Sequence, residues 1–136
     1  MSRVTHFEVH ASDVEKIAKF YADVFGWEIN EWVLEGVEME DENRYWLVGT
    51  GPEGEAGING GMMIRRGELP KDGQPVNAYV CIIDVKSIDG TLANVGKAGG
   101  MVTVEKMAVP GMGWAAYCKD PDGNIFGVME EDENAG

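Results

Sequence analysis

The 136-residue chain is poor in basic residues, holds only two cysteines and contains no long apolar run. Each scarcity removes a class of function. Lys and Arg total 11 against 24 Asp and Glu, a formal net charge of −13. Residues 1–68 carry 14 acidic and 6 basic side chains, and residues 69–136 carry 10 and 5, so the acidity runs through the whole chain. Such a surface repels phosphate backbones and anionic lipid, which excludes nucleic acid and membranes as expected partners. No apolar run reaches the roughly 18 residues of a membrane span. The N-terminus, MSRVTHFEVH, has no hydrophobic signal core, so the expected location is the cytoplasm. Cys81 and Cys118 lie in hydrophobic segments without CxxC or CxxH spacing and are expected as free thiols. The glycine-dense stretch 54–61 lacks the Gly-Lys-Ser/Thr ending of a phosphate loop, and no G-x-G-x-x-G opens a helix. No serine stands in a nucleophile setting.

What the chain does have is 44% hydrophobic residues, enough for a core, and a faint internal repeat. The connector is the Pro/Gly-rich stretch with Gly67, Pro70, Gly73 and Pro75. On either side, His6-Phe7-Glu8-Val9-His10-Ala11-Ser12-Asp13-Val14 aligns with Asn77-Ala78-Tyr79-Val80-Cys81-Ile82-Ile83-Asp84-Val85, each a β-prone run ending in Asp-Val. Each run turns helical. The first helix is expected to open with a capping box, Ser12 and Glu15, to bury Ile17, Phe20, Tyr21 and Val24, and to stop at Gly26. The second presents Ile88, Leu92 and Val95 and ends at Gly99-Gly100. Strand-like segments follow at 27–34 and 101–109. Gly51-Pro52-Glu53-Gly54 and Asp120-Pro121-Asp122-Gly123 are matching turns, each leading to a glycine and apolar residues, Gly61-Met62-Met63 and Gly127-Val128-Met129. The pattern is strand, helix, three strands, twice over. It predicts an α+β fold in one domain, 1–136, with modules at 3–66 and 76–130. The acidic series Glu35, Glu38, Glu40, Asp41 and Glu42 is expected in a solvated loop between strands.

His6-Phe7, the stretch Phe20-Tyr21-Ala22-Asp23-Val24-Phe25-Gly26-Trp27 and Asp120-Pro121-Asp122-Gly123-Asn124, set in this architecture, resemble the vicinal oxygen chelate superfamily. That group includes glyoxalase I, bleomycin-resistance proteins and extradiol dioxygenases. The resemblance runs from about residue 3 to about residue 130 and is specific for fold, not for reaction. It implies two tandem βαβββ modules whose curled mixed sheets surround a shared cavity. It also implies a homodimer. Metal-dependent members carry a His or Glu ligand on the first and last strands of each module. By the repeat alignment these positions fall at His6, Asn77, Gly127 and, in the first module, near Gly61, Met62 and Met63. Only His6 is a ligand-type residue. No metal or other cofactor is therefore expected.

Strand alternation then predicts the cavity lining. His6, Glu8 and His10 share one face of the first strand. Asn77, Tyr79 and Cys81 would follow in the second module, joined by Gly61, Met63, Gly127 and Met129 from the last strands and by Trp114. The inventory suits a small organic ligand: apolar and aromatic surface with a few polar handles. The expected function is small-molecule binding by a glyoxalase/bleomycin-resistance-like protein without a conventional metal centre. One alternative is a lyase or isomerase resembling lactoylglutathione lyase, either metal-dependent or using Glu8 to move a proton while His6 and Tyr79 orient the substrate. Another is a dimeric scaffold with a vestigial cavity. Cys81 is a poor nucleophile candidate, with apolar neighbours Val80, Ile82 and Ile83 and no adjacent cation.

Overall fold

The computed structural model describes every residue except Asp72, Ala78, Asp120, Asp122 and Gly123. The expected turn at 120–123 therefore lies largely outside the described residues. The chain divides into two compact units, one of His6–Tyr79 and one of Val80–Gly136 together with Met1–Thr5. The elements run β1 (Arg3–Ala11), α1 (Val14–Phe25), β2 (Glu28–Trp32), a short 3-10 turn at Asp41–Asn43, β3 (Tyr45–Gly49) and β4 (Gly60–Ile64). They continue with β5 (Val80–Asp84), α2 (Ile88–Lys97), β6 (Met101–Val109), β7 (Gly113–Lys119) and β8 (Ile125–Glu131). The strand, helix, three-strand rhythm thus occurs twice, as the repeat predicted.

Each repeat builds a mixed sheet. In the first, β1 pairs with β4 in parallel, while β3 pairs antiparallel with both β4 and β2. In the second, β5 pairs with β8 in parallel, while β7 pairs antiparallel with both β8 and β6. The parallel pair follows from the helix, whose crossover returns the chain in the same direction; the hairpins supply the antiparallel pairs. One face of each sheet is covered by its own helix. In the first unit Phe7, Val9 and Ala11 of β1 pack with Val14 of α1, Val48 of β3 and Met62 of β4. In the second, Ile88 of α2 packs with Ala116 and Val128, flanked by Ile83, Leu92, Trp114 and Phe126. The alternate residues of each strand point to the other, open face.

The start of α1 corrects one expectation. Asp13, not Ser12, is the N-cap, and its carboxylate accepts the backbone N–H of Lys16 at 3.1 Å. Asp13→Ala is expected to cost about 1 kcal/mol and Ser12→Ala almost nothing, as read by urea denaturation. The helix stops at Gly26, whose φ of 74° is the left-handed conformation that glycine adopts without strain. α2 is capped by Ser87, which accepts from Gly90 N–H at 3.1 Å.

The two caps also reset the repeat. Asp13 and Ser87 are equivalent, so the matching Asp-Val dipeptides occupy different structural places: one opens a helix, the other ends β5. Pairing registers agree. Glu8 stands opposite Gly61, and Ile82 stands opposite Gly127. The counterparts of His6, Glu8 and His10 are therefore Val80, Ile82 and Asp84, three residues beyond Asn77, Tyr79 and Cys81. An odd slip exchanges the faces of a strand, which moves every second-module residue expected on β5. No helix among the described residues is long and apolar enough to cross a membrane.

Candidate functional site

On the open face of the first sheet, His6, Glu8 and His10 of β1 run beside Gly61 and Met63 of β4, with Tyr45 and Leu47 of β3 on the next strand. Glu8 is only 4% exposed, an unusual position for a carboxylate. The Tyr45 hydroxyl joins it to His6: it donates to Glu8 Oε2 at 3.0 Å and lies 2.7 Å from His6 Nε2. A phenol has one proton to give. With that proton on Glu8, His6 Nε2 must be the donor to Tyr45. The trio is thus a directional chain, imidazole N–H to phenol to carboxylate. Burial holds the His6 pKa below its ordinary 6.5, so the ring is neutral at pH 7.

Gly61 makes this arrangement possible. A Cβ built there would overlap the Tyr45 hydroxyl and ring carbons, so any side chain at 61 would expel the phenol. The second unit repeats the device with different atoms. Gly127 pairs directly with Tyr117, and a Cβ on it would overlap Ile82 Cδ1 and come within 3.2 Å of Tyr117 Cε1. Both glycines at the last-strand positions therefore admit a tyrosine ring from the neighbouring strand.

The remaining expected site residues divide by face. Gly127 and Met129 lie on the open face of the second sheet with Ala115 and Tyr117. Trp114 does not: it packs toward α2, donates its indole N–H to Asp132 at 3.0 Å and carries Lys106 over its ring. Cys81 alternates with the open-face residues Val80 and Ile82, so it shares its side of β5 with Ile83. Asn77 precedes β5 and belongs to neither sheet. Tyr79 is not the hydroxyl of the Glu8 site. It stacks on Phe7, on the helix-covered side of β1, and its hydroxyl lies 2.6 Å from that of Tyr21. Burial, with that contact adding to it, pushes the Tyr21 pKa up to about 12. The phenol that meets Glu8 is Tyr45, which sequence reading passed over.

At the far end of the same face, Arg65 follows β4 directly. Its Nη2 donates to the His10 carbonyl at 2.8 Å. The loop that carries the acidic series is tied down by Arg44, which pairs with Glu31 and Asp41 and lies over Trp46. A cleft of about 400 Å³ there is lined by Trp32, Val37 and these same ion-paired groups.

Both histidines respond to acid in the same sense. Burial lowers the His10 pKa below 6.5, with Arg65 and Arg66 adding to it. The unfolded chain therefore binds protons at a pH where the folded chain does not. Their stabilising contribution is complete above pH 6.5 and is lost as pH falls toward the depressed folded values. Urea midpoints measured down this range should fall, and His6→Gln or His10→Gln should flatten the decline.

The N-terminal part of the chain, residues 3–40, matches the family model described as bleomycin resistance protein-like N-terminal. A glyoxylase-like domain-containing protein of Didymella fabae is 26% identical over 127 residues, covering 93% of this chain and 91% of that protein. Among solved structures, methylmalonyl-CoA epimerase of Streptomyces coelicolor, in complex with 2-nitronate-propionyl-CoA, superposes with a TM-score of 0.66 at 15% identity. That match covers 98% of this chain and 97% of the epimerase. The Mn(II)-bound glyoxalase of Novosphingobium aromaticivorans matches the whole chain with 42% of its own length, at a TM-score of 0.53 and 23% identity. By its first strand and helix the chain is similar to the bleomycin-resistance-like family, and in its twice-repeated βαβββ fold it is similar to solved glyoxalase-type and epimerase structures.

Proposed function

We propose that the chain binds a small organic molecule on the open face of its first sheet, and does so without a conventional divalent-metal centre. The observation that carries this reading is the Tyr45 hydroxyl, seated over Gly61 and bonded toward both His6 and Glu8. A divalent centre needs several nitrogen or oxygen donors converging on one point. Of the four positions that the superfamily resemblance singles out, His6 has a donor, and its Nε2 is already engaged by Tyr45. Gly61, Gly127 and Val80, the register-corrected counterpart of His6, supply none. The space beside Gly61 is filled by a phenol. These residues do not fit a metal of that kind.

They do suit an organic ligand. Leu47, 47% exposed, offers apolar surface beside the polar trio, and Met63 extends it. Apolar surface with a few fixed hydrogen-bonding groups is the usual make-up of a small-molecule site. A thermal-shift screen of small aromatic and carbonyl compounds tests the reading, since a ligand of the native state raises its apparent stability. Hits should lose most of their shift in Leu47→Lys and in Tyr45→Phe. Shifts that persist in both variants would place the ligand elsewhere.

The hydrogen-bonded chain from half-buried His6 to buried Glu8 favours a second reading, a metal-free proton-transfer enzyme with Glu8 as base. For such an enzyme, Glu8→Gln should abolish turnover of a bound compound while leaving its affinity within a few-fold.

A further inference from the structure

We propose that Arg65 and His10 form an anion-binding corner on the open face of the first sheet, and that it takes a carboxylate or phosphate group of the ligand. The inference rests on the small-molecule reading for the face and adds the charge of what binds there. His10 of β1 stands opposite Met63 of β4, and Arg65, two residues on, emerges on the same side. Its backbone N–H donates to the Ala11 carbonyl at 2.9 Å and its Nη2 to the His10 carbonyl at 2.8 Å, so the guanidinium is anchored against the end of β1. Arg65 Nε and His10 Nε2 are the buried side-chain polar atoms left without a partner among the described residues.

An unmet buried donor is costly, and more so on a charged group. Supply does not explain it, because the chain has 24 acidic side chains for 11 basic ones. Other partly covered cations have found theirs: Arg44 holds Glu31 and Asp41, and Lys106 holds Asp89. Arg65 has no carboxylate within ion-pair distance among the described residues. Exposed Arg66, whose Nη2 donates to the Glu42 carbonyl, adds positive potential at the same corner. A guanidinium fork beside an imidazole matches the two oxygens of a carboxylate or phosphate. Both unpartnered nitrogens are covered in this arrangement, while Arg65 as a residue is only partly buried. An anion therefore binds by a side-chain rotation that exchanges the Nη2 bond to the His10 carbonyl for the ligand. Glu8 lies two residues from His10 on the same strand face, about 7 Å away. A molecule reaching both groups is the size of a small aromatic acid.

The test follows the Arg65 Nε–H and His10 ring resonances while benzoate, inorganic phosphate or neutral benzamide is added at constant ionic strength. Saturable shifts are expected with benzoate or phosphate, with affinity at least tenfold weaker in Arg65→Gln and an intermediate loss in Arg65→Lys, both checked for an unchanged amide spectrum. The preferred anion identifies the carboxylate or the phosphate as the recognised group. Equal binding of benzoate and benzamide, indifferent to Arg65→Gln, would overturn the anion corner and leave the small-molecule reading standing. Binding of neither anion to a protein that does bind neutral compounds in the thermal-shift screen would overturn it in the same way. Silence with every compound in both experiments would overturn the two readings together.

Discussion

Gly61→Ala is expected to lower the unfolding free energy by about 3 kcal/mol, far more than a glycine-to-alanine change in an ordinary strand. The added methyl would sit inside the Tyr45 hydroxyl, and the phenol cannot retreat without giving up Glu8 and His6. The loss combines overpacking with a buried carboxylate deprived of a donor. Gly127→Ala is the control. Its methyl meets the tip of Ile82 and the edge of Tyr117, and an isoleucine tip can rotate away. About 1–2 kcal/mol is expected there. A denaturant double-mutant cycle separates the causes: Gly61→Ala should cost much less in a Tyr45→Ala background, a coupling of more than about 1 kcal/mol. An additive pair would mean that Gly61 matters for some reason other than the phenol above it.

The second large effect falls on Glu8. Glu8→Ala removes the acceptor of the Tyr45 proton and opens a void under the sheet face, at an expected cost of about 2–3 kcal/mol. Glu8→Gln retains a side-chain oxygen for Tyr45 and should cost no more than about 1 kcal/mol. Chemical denaturation of the two variants at pH 7 makes the comparison. If both cost the same, the carboxyl oxygen facing Tyr45 is not what stabilises the site. Tyr45→Phe belongs between them, since it keeps the ring over Gly61 and deletes only the hydroxyl.

The fold was open to sequence reading because its signals are local. The helical spacing of Ile17 and Tyr21, the stop at Gly26 and a turn just after Gly51, closed by Glu55 N–H on the Pro52 carbonyl, each depend on a few neighbouring residues, and the structure has them. Phe20 and Val24, expected inside with Ile17 and Tyr21, are instead exposed. The open-face positions of His6, Glu8, His10, Gly61 and Met63 followed from alternation along strands whose faces were correctly paired. The second strand of the repeat failed for a definite reason. Asp13-Val14 and Asp84-Val85 look alike, but the first is a helix start and the second a strand end, and the resulting three-residue slip exchanged the faces of β5. That one slip put Tyr79 and Cys81 in the expected lining.

Tyr45 and Arg65 were hidden in a different way. Tyr45 reaches Gly61 diagonally, because the residue directly opposite Gly61 is Leu47. Only the cross-strand register shows that contact. Arg65 lies just past the end of β4, and its significance is an absent partner, which no residue pattern records. Trp114 was misplaced because β7 could be read with either face inward until its pairing with β8 was known.

Metal content tests the central claim most directly. Protein produced in medium supplemented with manganese, iron, nickel and zinc, and purified without chelator, can be assayed by plasma mass spectrometry alongside His6→Ala. A site closed by Tyr45 over Gly61 should hold every one of these metals well below one equivalent, with no difference between the two proteins. One equivalent of a single metal in the unmodified chain, lost in His6→Ala, would contradict it.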